Sequence, residues 1–283
     1  MTSGLLSRSW RELSRADLDA AYNNSVAVAS SAATVAGWEQ RGAALRARMP
    51  AHLDLRYGSL PRNRIDFFLA RAGAPTLVFI HGGYWQSRAK ELFSCFAAGP
   101  MARGLNVALV GYTLAPEVSL DAIVAETRAA LDYLASAPVR GADRGRLLLS
   151  GWSAGAQLAA MLLEHPQVAG ALLISGVYDL EPIRHCYLNE KLGLDAAMAA
   201  RNSPLLHLPA SSPPAWVVVG GSELPELQRQ SGEFALARAK AALPGGFAEI
   251  PGADHFSILE QLERPEGMLC DIVSRLASGD AAA

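Results

Sequence analysis

Cysteine is scarce in this chain, and the three present, Cys95, Cys186 and Cys270, are far apart and odd in number. They form neither a disulfide framework nor a metal-ligand spacing, so free buried thiols in a reducing compartment are expected. Long apolar runs are missing as well. No segment approaches 18 uncharged apolar residues, which argues against a membrane span. The stretch Met1-Thr2-Ser3-Gly4-Leu5-Leu6-Ser7-Arg8 lacks the charged region and long apolar core of a secretion leader. Nor is there a surplus of either charge: 25 Lys and Arg face 27 Asp and Glu, mixed along the chain, for a net charge of −2. Neither nucleic acid nor a membrane surface is indicated as a partner. These gaps describe a cytoplasmic protein.

What is present is core material. The 283 residues are 51% hydrophobic and 18% charged, enough for one large α/β domain or two small ones. Residues 9–49 show helical spacing, with Ser14 and Asp17 in a loose capping box and Asn23-Asn24-Ser25 as a break before a second helix over Thr34–Met49. His52–Tyr57 alternates apolar and polar, Arg64–Leu69 follows Pro61-Arg62-Asn63, and the pair predicts an antiparallel edge hairpin. Continuous apolar runs at Thr76–Ile80 and Asn106–Val110 predict strands buried on both faces, and further strands are expected at Leu147–Ser150, Ala171–Ser175, Trp216–Val219 and Phe247–Ile250. Helical patterns over Leu120–Ala135, Ala154–Glu164, Leu227–Ala242 and Ser257–Leu276 alternate with these strands. Such alternation specifies a mostly parallel, doubly wound sheet of about eight strands. The whole chain, 1–283, is expected to be one domain, with residues 1–49 as a helical arm packed over it. The proline-rich insertion 178–214 is expected to form a cap over the site, and the tail Ser278–Ala283 is expected to fray.

One pentapeptide organises the chain: Gly151-Trp152-Ser153-Ala154-Gly155. By itself it could be an ordinary glycine-bounded turn with a serine N-cap. A buried strand before it and a helix after it make it a nucleophile elbow. The strand-to-helix turn is so tight that positions two before and two after the serine have almost no room for side chains, and glycine supplies that room. Its product is an exposed Oγ above a helix N-terminus that favours negative charge.

Three further segments complete the chemistry. His81-Gly82-Gly83-Tyr84-Trp85-Gln86 leaves the Thr76–Ile80 strand, and a glycine pair there can aim backbone N–H groups into the cleft. With the N–H of Ala154, Gly82 and Gly83 form a candidate oxyanion hole. Of six histidines, His255 alone follows a late strand, in Gly252-Ala253-Asp254-His255-Phe256-Ser257, and is the candidate base. The acid should leave the penultimate strand. Glu223 is favoured over Glu226, which suits the first turn of the next helix, and over Asp254, which adjoins the histidine too closely. The order Ser153, Glu223, His255 follows the Ser…Asp/Glu…His order.

The His81–Gln86 and Gly151–Gly155 segments, with Ser175-Gly176-Val177-Tyr178-Asp179-Leu180 and Pro225-Glu226-Leu227-Gln228-Arg229-Gln230-Ser231, together resemble the arylformamidase (kynurenine formamidase) group. That group lies on the hormone-sensitive-lipase-like side of the α/β-hydrolases. Leu18-Asp19-Ala20-Ala21-Tyr22-Asn23-Asn24-Ser25 is similar to the arm of its bacterial esterase-like members. The resemblance implies an α/β-hydrolase fold and a serine hydrolase, free of metal and cofactor, that cleaves N-formylkynurenine to formate and kynurenine. Two positions depart from the group's pattern: Glu223 stands where Asp is usual, and Trp152 where His is frequent.

The expected activity is removal of a small acyl group from an aromatic amine. Tyr84, Trp85 and Trp152 are expected to crowd the nucleophile, leaving room for formyl or acetyl and a flat aromatic leaving group. A carboxylesterase for small or aryl esters would use the same machinery. A non-catalytic ligand-binding relative is the alternative of another class. The partner is a small-molecule substrate, and the sequence is compatible with a homodimer.

Overall fold

In the computed structural model eight strands form one sheet in the order β1-β2-β4-β3-β5-β6-β7-β8. The structure describes residues 9–136, 139 and 146–280; the stretch Met1–Arg8 and residues 281–283 of the tail lie outside them. The strands are β1 (Ala51–Arg56), β2 (Arg64–Phe68), β3 (Thr76–Ile80), β4 (Asn106–Val110), β5 (Leu147–Trp152), β6 (Val168–Ile174), β7 (Ala215–Gly220) and β8 (Gly245–Ile250). β1 and β2 run antiparallel at one edge, and every pair from β4 onward in the sheet order is parallel.

The unalternating apolar strands sit where their composition demands. β3, β4 and β5 are buried at every position. Side chains of a strand alternate between faces, so Val78 and Ile80 join one apolar core while Leu77 and Phe79 join the other. Parallel strands require a crossover, and the helices Leu120–Ala135, Ala154–Ala160 and Pro225–Lys240 provide it. All the parallel strands end on one edge, where loops rather than ladder bonds occupy the backbone. Among the described residues no helix is long and apolar enough to cross a membrane.

Several elements differ from their sequence patterns. The second arm helix runs over Ser31–Arg48, and a helical turn at Asn24–Ala27 replaces a simple break. The last helix is interrupted: Ser257–Leu259 and Glu260–Glu263 end before Arg264-Pro265, and Met268–Ser278 starts anew. Proline disfavours a helical residue before it and cannot donate within a helix, so the single pattern had to split. Residues 178–214 are not merely irregular but hold the short helices Glu181–Arg184, Asn189–Leu192 and Ala196–Arg201. An unforeseen 3₁₀ segment, Lys90–Ala97, packs along the Ser31–Arg48 helix.

That contact docks the arm. Trp38 is fully buried, its ring 5.1 to 6.0 Å from those of Phe93, Phe96, Trp152 and Phe256. Tyr22 is buried too, and its hydroxyl donates to Glu226 Oε2 at 2.9 Å. An arm anchored by two buried aromatics is part of the cooperative fold. Trp38→Ala is therefore expected to destabilise the protein by about 3–5 kcal/mol, as large-to-small changes of buried aromatics do. A urea midpoint unchanged by the substitution would mean that the arm is only loosely attached.

Candidate active site

The elbow is built from near-contacts that only glycine permits. A Cβ on Gly151 would lie 2.1 Å from the carbonyl oxygen of Gly155, and one on Gly155 would lie 2.0 Å from that of Ile80. Ser153 itself holds φ 56° and ψ −122°, a left-handed conformation costly for a non-glycine residue. Its N–H donates to Ile174 O at 2.8 Å, so the strained turn stays pinned to β6. The Ala154–Ala160 helix begins immediately after it.

Gly82 faces this turn directly. An added Cβ there would meet the Trp152 ring and carbonyl at 2.7 Å and Ser153 Cβ at 3.0 Å. Gly83 has φ +116°, and a Cβ would lie 2.3 Å from Ser87 O. His81 orients the loop. Its Nδ1 lies 2.7 Å from Gly82 O, and a carbonyl only accepts, so Nδ1 carries the proton and donates. Across the trans peptide the N–H of Gly83 points the opposite way, away from the His81 ring. The imidazole stacks on Tyr112 at 4.3 Å and on Phe93 at 5.6 Å, while Tyr112 donates back to His81 O at 2.8 Å.

The candidate acid and base meet across the ends of β7 and β8. His255 Nδ1 and Glu223 Oε2 are 2.6 Å apart, and both side chains are buried. The other carboxylate oxygen, Glu223 Oε1, accepts from Ser175 Oγ at 2.5 Å and from Gly220 N at 2.8 Å. Three hydrogen bonds thus converge on this carboxylate and fix it against His255. Glu226 lies elsewhere, bound to Tyr22 and to Arg229 Nη2 at 2.7 Å. Asp254 turns back to accept from the backbone N–H of Phe256 and Ser257.

Ser153 and His255 line one cavity of about 70 Å³, together with Tyr84 and Trp152. Trp152 Nε1 donates to His255 O at 2.8 Å, and the two rings lie 4.8 Å apart. Trp85 does not belong to this wall. It is fully buried, with Nε1 donating to Gln157 Oε1 at 3.0 Å, because its left-handed backbone (φ 59°) turns the indole into the core. A larger hollow of about 320 Å³ beside β7 and β8 is lined by apolar groups such as Val217, Leu236 and Phe247 and offers no nucleophile and base.

Five wall residues were not singled out by the sequence: Asn24, Ser25, Ser87, Arg88 and Phe256. The first two come from the arm, whereas residues 178–214 contribute none of the lining. Asn24 is held by a readable network. Tyr84 Oη spends its only proton on Tyr22 O at 2.8 Å, so Asn24 must present Nδ2 to it, at 3.0 Å. Asn24 Oδ1 is left buried without a partner among the described residues. The Asn23-Asn24 pair reads as a helix breaker, which hid this placement.

Burial pushes the His81 imidazole from its ordinary 6.5 down to about 4. Between those values the folded ring is neutral and the unfolded one charged. Its contribution to stability is therefore whole above about pH 6.5 and is lost as the pH falls toward 4, by an amount on the order of 3 kcal/mol. His81→Asn, which keeps a donor near Nδ1, is expected to flatten the dependence of urea midpoint on pH across that window. Equal slopes for the two proteins would contradict this.

Residues 77–258, well over half of the chain, match a family described as having the alpha/beta hydrolase fold. A kynurenine formamidase of Danio rerio is 33% identical over 240 residues, covering 79% of this chain and 81% of that protein. A kynurenine formamidase of Drosophila melanogaster is 31% identical with the same coverage of both. Among solved structures, a candidate thioesterase from Silicibacter sp. superposes with a TM-score of 0.81 at 30% identity, over 91% of this chain and 99% of that one. An esterase of Pyrobaculum calidifontis shares the fold at a TM-score of 0.71 and 20% identity, over 87% of this chain and 92% of that one. The protein belongs to the α/β-hydrolase family, as a hydrolase of the group that contains the kynurenine formamidases.

Proposed function

We propose that this hydrolase removes a formyl group from an aromatic amine of the N-formylkynurenine type, with Ser153, His255 and Glu223 as its catalytic triad. The observation that carries the reading is the small aromatic-walled cavity in which Ser153 and His255 meet. A formyl group fits about 70 Å³ of space, and Trp152 and Tyr84 leave little room for a longer chain. Relatives that act as kynurenine formamidases support the same substrate class.

In this mechanism Ser153 Oγ attacks the formyl carbon while His255 Nε2 takes its proton. Such serine–histidine contacts are often loose without substrate and tighten when it binds. Glu223 holds the Nδ1–H tautomer and offsets the charge that the ring gains. The oxygen of the tetrahedral intermediate lies among the backbone N–H groups of Gly82, Gly83 and Ala154, with the helix N-terminus behind it. His255 then protonates the departing nitrogen, the C–N bond breaks, and the amine leaves a formyl-serine. Water, deprotonated by His255, attacks that ester and releases formate. Asn24 Oδ1, a buried acceptor without a partner, suits the N–H of an amide substrate.

A carboxylesterase role uses the same groups and is favoured by the esterases among the structural neighbours. The length of the acyl chain separates the two. On one aromatic amine, kcat/KM is expected to fall at least about tenfold from formyl to butyryl, since tight pockets discriminate single methylenes by roughly 1–3 kcal/mol. A flat or rising series, with faster turnover of matched aryl esters, would replace the formamidase reading with the esterase one.

A further inference from the structure

Arg88 is the unexplained charge in the cavity. It lines the same wall as Ser153 and His255. Its side chain forms no ion pair among the described residues. The acids of the neighbouring stretch are already committed: Asp54, Asp66 and Glu91 all surround Lys90 Nζ, at 2.7 to 2.9 Å. What holds the Arg88 guanidinium is aromatic. Its central carbon lies 5.6 Å from the Trp152 ring centroid and 5.7 Å from that of Phe256. Such contacts engage the face of the guanidinium and leave its in-plane N–H donors uncommitted. Burial lowers its pKa from the usual arginine value, yet arginine keeps its charge in proteins.

The backbone adds a second, independent observation. Arg88 sits at φ 75°, in the region that favours glycine. An arginine there costs of order 1–3 kcal/mol that glycine would avoid. Its carbonyl is held by Arg62 Nη2, so the strained turn is fixed rather than loose. A strained, half-buried, unpaired cation beside a nucleophile is a poor choice for stability. It is a good one for binding an anion.

We infer that Arg88 is the residue that holds the carboxylate on the amine portion of a substrate of the N-formylkynurenine type, as a subsite of the catalytic cavity. The inference rests on the formamidase reading in one respect: a formyl group has nowhere to carry a second charge, so the carboxylate must be on the leaving group. The cavity is too small for a whole aromatic substrate, which places the ring and its side chain at the mouth, within reach of Arg88. Planar guanidinium and planar carboxylate then pair through two parallel N–H···O bonds.

The test uses two substrates: an aryl formamide with a carboxylate on a short side chain, and its isosteric carboxamide. For the wild-type protein, kcat/KM is expected to favour the carboxylate by about tenfold or more, the worth of a charge-assisted hydrogen bond. In Arg88→Gly, which relieves the φ strain and so should fold, the ratio is expected to fall to within about twofold of one; Arg88→Lys, with charge but no fork, should lie between. A wild-type ratio near one, or a ratio that survives in Arg88→Gly, would overturn the subsite. The same comparison on the corresponding aryl formate esters separates the two claims. If the wild-type protein cleaves the esters but not the formamides, an ester ratio of about tenfold that is lost in Arg88→Gly would uphold Arg88 and sink the formamidase reading.

Discussion

Everything in the site depends on one steric constraint, the crossing of the Ser153 turn over β3 and its loop. A non-glycine residue at φ 56° is unfavourable by of order 1–3 kcal/mol, and it persists only because the surroundings leave no other path. Gly151 and Gly155 let the strand and helix backbones approach within distances that a single methyl would forbid. Gly82 lets the next loop lie against the Trp152 carbonyl. The bond from Ser153 N to Ile174 O ties the turn to the neighbouring strand. Local cost is thus carried by non-local packing, and the serine is lifted clear of the sheet as a result.

The rest of the site is arranged around that raised serine by the parallel sheet. Strands that run the same way end on the same edge, so loops distant in sequence converge: His81–Gly83 after β3, Ser175 after β6, Glu223 after β7 and His255 after β8. Burial then sharpens the electrostatics. Glu223 is tolerated out of water because Ser175, Gly220 and His255 occupy its oxygens. His81 is tolerated because it stays neutral, and in that state it orients the Gly82–Gly83 peptide. The arm closes the cavity from above with Asn24 and Ser25, and Trp38 secures it against the same aromatic group that backs His255.

Much of this was legible in the sequence. The apolar strands had to be buried on both faces, and their alternation with helices specified the parallel sheet that the structure contains. Glycines at 151, 155, 82 and 83 marked close approaches because few other residues tolerate them. Glu223 could be placed near His255 by counting residues past a strand. Side-chain direction was not legible. Trp85 was expected at the pocket wall beside Tyr84, but successive residues at positive φ send the two rings different ways, one to the cavity and one to the core. The roles of Asn24, Ser175 and Arg88 were hidden for a related reason: each acts through partners distant in the chain, Asn24 with Tyr84, Ser175 with Glu223, and Arg88 with Trp152 and Phe256. No local pattern of polarity distinguishes them from turn residues.

The central claim is that Ser153 is the covalent nucleophile, raised by its strained turn and activated by His255. Intact-mass analysis after treatment with a fluorophosphonate tests it most directly. The wild-type protein is expected to gain one adduct, mapped to the peptide carrying Ser153, with loss of turnover in proportion to labelling. Ser153→Ala should stay folded and gain none. An adduct of equal yield in Ser153→Ala, or labelling of the wild type at another residue, would contradict the account.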